Sequence, residues 1–239
     1  MVKTFFAFIY FISSMILLLP FGLIAIIFYI LGLRKPMRHF IYRIAQGWAL
    51  TSITVSGCKV DVTGRENIPK KGGVCFVSNH DGYFDIVLLL AYCGRPFGFV
   101  AKKELLLVPV LNAWIYLLGG LFIDRKNVKN AVLTINKGIK RIKSGNSMII
   151  FPEGHRSKGR GLLPFHAGSL KLATMADAPI IPIAIKGSYD VFEKNYRFMS
   201  SQIKISFMEP VSTADLPSEQ RKFLLCDRIF SVIKRELNI

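Results

Sequence analysis

The chain has 239 residues, 51% hydrophobic and 12% aromatic, with 32 Lys and Arg against 15 Asp and Glu for a formal charge of +17. That length supports one sizeable core with an added subdomain, and the charge calls for a polyanionic partner, either nucleic acid or an anionic membrane surface. The four cysteines, Cys58, Cys75, Cys93 and Cys226, lack CxxC or metal-ligand spacing and lie in or beside apolar runs, which argues against a thiolate metal centre and for reduced thiols facing the cytosol.

Thr4 to Leu33 is 30 residues without a charge, interrupted by Pro20 and Gly22. As continuous helix it would extend ~45 Å, more than a ~30 Å hydrocarbon core. It is too long for a signal peptide and no small-x-small cleavage site follows it. Arg34, Lys35, Arg38 and Arg43 come next, so the positive-inside rule puts that end and the following domain on the cytoplasmic side of the cell (inner) membrane. Met37 to Val55 is moderately apolar and aromatic. Two geometries are open. Either Thr4–Leu33 spans once, or it kinks near Pro20 and packs with 37–55 as a hairpin in one leaflet; the proline and the aromatic second helix favour the hairpin. Residues 1–56 thus form a membrane-anchoring helical segment, and 57–239 a separate α/β domain.

After Gly57 short β-like runs alternate with helical ones. Strands are predicted at Lys59–Thr63, Val74–Ser78, Phe97–Ala101, Leu121–Ile123, Met148–Phe151, Ile180–Ile185 and Ile203–Met208, separated by turns such as 69–73. Ile86 to Leu90 starts a helix, Val128 to Lys143 has apolar residues at three- and four-residue intervals, and a last amphipathic helix covers about Ser218 to Leu237. The alternation predicts an α/β fold, a mixed, mostly parallel sheet flanked by helices.

Polar clusters end several of these strands. After Val77 comes Ser78-Asn79-His80-Asp81-Gly82-Tyr83-Phe84-Asp85. A neutral imidazole beside a carboxylate can be held in one tautomer and accept a proton from a hydroxyl near neutral pH, although such a cluster alone is more often a turn in which Asp81 or Asp85 caps the next helix. No suitable serine or cysteine nucleophile lies beside the pair, which favours direct attack by a substrate hydroxyl. Gly119 to Arg125 and Phe151 to Ser157 end two further strands. Arg125 and Arg156 are suited to bidentate phosphate binding, but taken singly Asp124/Arg125 and Glu153/Arg156 read rather as local ion pairs.

In this order and spacing the stretches resemble the sequence blocks of the PlsC-type glycerolipid acyltransferase family. Its first block, Asn-His-x-x-x-x-Asp, corresponds to Asn79 through Asp85; the second, Gly-x-x-Phe-Ile-Asp-Arg, ends at Arg125. The third, Phe-Pro-Glu-Gly-Thr-Arg-Ser, corresponds to Phe151–Ser157, and the proline-bounded fourth to Pro179–Pro182. The resemblance extends over about 57 to 190, with Gly82 where serine is usual and His155 where threonine is usual.

The resemblance implies His80 as general base, oriented by Asp85, and Arg125, Glu153, Gly154 and Arg156 as the residues that bind or arrange the glycerol phosphate. It implies acyl transfer from acyl-CoA or acyl carrier protein to the sn-2 hydroxyl of lysophosphatidic acid, giving phosphatidic acid, with no bound cofactor and no metal. Another acceptor (a lysophospholipid, a lyso-ornithine lipid or glycerol 3-phosphate) would use the same chemistry. A non-catalytic membrane adaptor is disfavoured by the intact His80/Asp85 pair, and a nucleic-acid partner by the lack of any recognition motif.

Overall fold

The computed structural model describes residues 2–213 and 221–239. Among these, the sheet runs β1-β7-β6-β2-β5-β3-β4, where β1 is Lys59–Thr63, β2 Cys75–Ser78, β3 Phe97–Lys102, β4 Leu121–Ile123, β5 Ser147–Ile150, β6 Ile180–Lys186 and β7 Gln202–Phe207. Every pairing is parallel except β6 with β7. Each strand lies within one residue of its expected ends.

The central strands are buried on both faces, as parallel strands between helical layers must be. Alternation sends Phe76, Ile149 and Ile181 to one core and Cys75, Val77, Met148, Ile150 and Ile180 to the other. The first core is roofed by α3 (Arg34–Ser56) and α4 (Asp85–Tyr92). The second packs under α6 (Val128–Lys143), α7 (Lys171–Thr174) and α8 (Arg221–Leu237). The expected start of the last helix, 218–220, lies outside the described residues. Fully buried Leu88 and Leu89 of α4 each contribute roughly 1.5–3 kcal/mol of burial free energy. Cys75 and Cys93 are free thiols in these cores, and burial pushes both thiol pKa values up.

At the N-terminus α1 (Val2–Leu17) and α2 (Pro20–Ile30) are separated by a two-residue turn, Leu18-Leu19, with Pro20 as the first residue of the second helix. There the missing proline N–H costs nothing, because the first amides of a helix have no intrahelical partner. A turn at Leu31–Leu33 reverses the chain, and α3 returns antiparallel along both helices. The contacts march accordingly: Phe40 meets Phe28 and Phe21, the Trp48 indole donates to Ser14 Oγ at 2.9 Å, Tyr10 bonds Thr51 at 2.6 Å, and Lys3 reaches the Ser56 carbonyl at 3.0 Å. The two apolar helices and α3 thus pack as a helical hairpin. Val2–Ile30 is long and apolar enough to cross a membrane by length and composition. Its outer face exposes Phe5, Phe6, Ile12, Leu23, Ile27 and Ile30, a continuous apolar surface of the kind that marks a lipid or partner contact. The inner face of α3 is another matter: Tyr42, Ala45, Ala49 and Ile53 are built into the first core of the α/β domain.

Candidate active site

The polar clusters follow the C-terminal ends of β2, β4, β5 and β6, the edge of an open α/β sheet where ligands bind. Because β2 lies between β5 and β6, the loops after these strands meet. Asn79 fixes the first loop: its side-chain amide exchanges two hydrogen bonds of 2.8 Å with the Ile185 backbone, N–H and C=O both satisfied. The Ser157 and Lys158 amides donate to the carbonyls of His80 and Asp81 at 2.7 and 3.1 Å. Asp81 collects the Ser157 hydroxyl at 3.2 Å and the Gly159 and Tyr189 amides at 3.3 Å. Burial, and then the neighbouring Asp85 charge, push the Asp81 carboxyl pKa up.

His80 and Asp85 form a dyad, with Nδ1 2.6 Å from Oδ2. Asp85 opens α4 and is wholly buried. The same Oδ2 takes the Asp81 amide at 2.8 Å and the Gly82 amide at 3.1 Å, while Oδ1 accepts the Ser188 hydroxyl. With its oxygens saturated by donors, the carboxylate acts as acceptor only and holds the proton on Nδ1. Nε2 is then the basic nitrogen of the ring. The imidazole stacks on Phe151, centroids 4.0 Å apart at 20°, which fixes its plane.

Glu153 stands behind His80. It is 1% exposed; Oε1 accepts the His80 amide at 2.7 Å and Oε2 the Leu163 amide at 3.2 Å. Burial raises its pKa to about 7 despite those two bonds. Glu153 thus touches backbone on both oxygens and contributes nothing to the cavity wall. Gly154 has φ +76°, a conformation that disfavours any side chain, and its carbonyl accepts the Arg125 guanidinium. Neither local ion pair suggested by the sequence forms: Asp124 pairs with Lys103 at 2.6 Å, and Arg156 pairs with Glu193.

Glu193 lies beyond the recognised blocks. Only 8% exposed, it binds Arg156 through Oε1 and the Tyr83 amide through Oε2. Arg156 in turn sits over the Tyr83 ring, 3.5 Å from its centroid, a cation–π contact. Gly82 is explained by the same neighbours, since a Cβ there would lie 2.8 Å from Glu193 Oε2 and 2.9 Å from Tyr189 Cα. The departure from serine is thus a packing requirement of the loop after β6. Ser188, Tyr189 and Glu193 escape the sequence reading, although Gly187-Ser188-Tyr189-Asp190 is again a polar cluster ending an apolar strand.

The dyad opens on a cavity of about 1090 Å³ with two chemically distinct ends. Arg125, Arg156, Lys158 and Arg160 make one end basic. The other is apolar and reaches Leu90, Phe99 and Trp114, with Met15 and Leu18 of the N-terminal hairpin and Trp48 of α3 closing it. His155 and His166 also face the cavity.

A switch-point cavity with a His/Asp dyad between a cationic end and an apolar arm defines an enzyme built to handle an anionic amphiphile. A family model described as Acyltransferase matches residues 59–186, more than half the chain, and the chain belongs to that family. A 1-acyl-sn-glycerol-3-phosphate acyltransferase of Borreliella burgdorferi is 31% identical over 186 residues, covering 78% of this chain and 73% of that one. The Escherichia coli protein of the same name is 31% identical over 165 residues, covering 69% and 67%. The crystal structure of the 1-acyl-sn-glycerophosphate (LPA) acyltransferase PlsC from Thermotoga maritima has a TM-score of 0.83 at 27% identity, covering 99% of this chain and 95% of that one.

Proposed function

We propose that the protein moves a fatty acyl group from acyl-CoA or acyl carrier protein to the sn-2 hydroxyl of 1-acyl-glycerol 3-phosphate, forming phosphatidic acid. The acyl donor is a substrate, and His80 is the catalytic base. Nε2 takes the proton as the acceptor oxygen bonds to the thioester carbonyl carbon; collapse of the tetrahedral adduct breaks the C–S bond, and the imidazolium returns its proton to the departing thiolate. Asp85 orients His80 and stabilises the imidazolium. Glu153 positions the His80 backbone, Gly154 lets backbone approach the acceptor, and Arg125 and Arg156 face its phosphate. Residues 1–56 seat the protein in the inner membrane, with α3 also packed into the core of the acyltransferase domain, and 57–239 form that domain on the cytoplasmic side, where the basic surface meets anionic lipid and an anionic donor.

The observation that carries this reading is the placing of the dyad between a basic end and an apolar arm of one cavity. The test is a panel of acceptors and donors with product identification. Phosphatidic acid from lysophosphatidic acid is the expected product; turnover confined to a phosphate-free acceptor would reject the assignment. His80→Ala should lower turnover by ~10²–10⁴-fold while leaving the circular dichroism spectrum and membrane sedimentation unchanged.

A further inference from the structure

A second cavity, about 350 Å³, lies next to the first, with Leu118 in the wall of both. It sits at the opposite, N-terminal edge of β3 and β5, closed by α2, the first turns of α3 and the end of α5 (Leu111–Leu117). Two arginines from different elements meet there. Arg38 donates to Asn146 Oδ1, and Arg141 to the carbonyls of Gly119 and Gly120. No Asp or Glu lines the cavity, and neither arginine has an ion pair among the described residues. Burial lowers the Arg141 pKa and the nearby Arg38 charge lowers it further, so the two cations are brought together with hydrogen bonds to neutral groups but no carboxylate among the described residues to balance their charge.

Unused hydrogen-bonding capacity accompanies the unused charge. Of the lining residues, Ser147 is 1% exposed and its hydroxyl has no hydrogen-bond partner among the described residues. The remaining wall is apolar: Ile26 and Tyr29 line the cavity and also belong to the exposed outer surface of α2. Two neighbouring guanidiniums without an ion pair suit a phosphate. An apolar wall continuous with a lipid-facing helix suits the chain attached to it.

We propose that this second cavity binds an anionic phospholipid of the bilayer, its phosphate between Arg38 and Arg141 and an acyl chain along α2. The proposal rests on the membrane seat of the hairpin and is independent of the acyl-transfer chemistry.

The test uses the full-length protein in neutral detergent micelles with phosphatidylglycerol carrying a photoreactive acyl chain, and labelled peptides are mapped by mass spectrometry. Label is expected in residues 25–38, roughly tenfold above that from the matching phosphatidylcholine, and Arg38→Gln should remove roughly tenfold of it. Because Arg141 holds the turn before β4, Arg38 is the better target. Ile26→Trp, at a half-exposed wall position, is the second variant and should block labelling by filling the cavity. Turnover is measured on the same samples, so an inactive protein that still labels at 25–38 would sink the acyl-transfer reading and keep this one. Equal labelling by the two lipids, or labelling that survives both substitutions, would overturn the site. Displacement of the label by millimolar inorganic phosphate would overturn the lipid in favour of a free anion.

Discussion

At the scale of single residues the site depends on carboxylates doing different work within a few ångströms. Asp85 is saturated by donors and faces the imidazole, whereas Glu153 grips two backbone amides from a buried position and has its pKa raised to about 7 from 4.5. A carboxyl whose folded pKa lies above its unfolded value binds more protons when folded, so its contribution to stability falls as pH rises from 4.5 to about 7 and is level above that. Glu153→Gln removes this titration. Thermal unfolding across that range should show the variant gaining on the wild type by up to roughly 3 kcal/mol as pH rises; a constant difference would mean that Glu153 does not titrate there. Glu193 predicts a kinetic effect instead. It holds Arg156 over Tyr83, so Glu193→Gln should raise KM for a phosphate-bearing acceptor roughly tenfold with kcat little changed. Equal loss in KM and kcat would make it a structural residue only.

At the scale of elements, the loop after β6 explains more of the site than any motif does. Tyr189 and Glu193 press so closely on the dyad's loop that position 82 has no room for a Cβ. Gly82→Ser should therefore cost ~1–3 kcal/mol in a denaturant titration; a neutral result would show that the loop yields easily. The strands were legible because apolar runs bounded by turn residues leave little freedom, and Val128–Lys143 matched its expected bounds because its apolar spacing is helical. Strand order was not legible: nothing local in Ile203–Phe207 says that it pairs antiparallel with β6 and parallel with β1. For the same reason His80 and Asp85 could be read from one loop, whereas the partners of Asp85 and Arg156 arrive from residues more than 100 and 30 positions away. Such neighbours are fixed by sheet topology, which the spacing of a motif does not encode.

At the scale of the whole molecule, the exposed apolar face of α1 and α2 and the formal charge of +17 act together. Apolar burial in the bilayer is strong and short-ranged, and attraction to anionic headgroups extends over about a Debye length, ~8 Å at physiological salt. The hairpin does more than hold the protein near lipid, because Met15 and Leu18 at the α1–α2 junction close the apolar arm of the catalytic cavity. A generic transmembrane helix in place of residues 1–33 should therefore restore sedimentation with membranes without restoring turnover, and full activity in that chimera would refute the coupling. On the proposed membrane seat, displacing the hairpin from the domain would strip Met15 and Leu18 from the wall of the reaction chamber, so synthesis would be confined to the surface that receives the product.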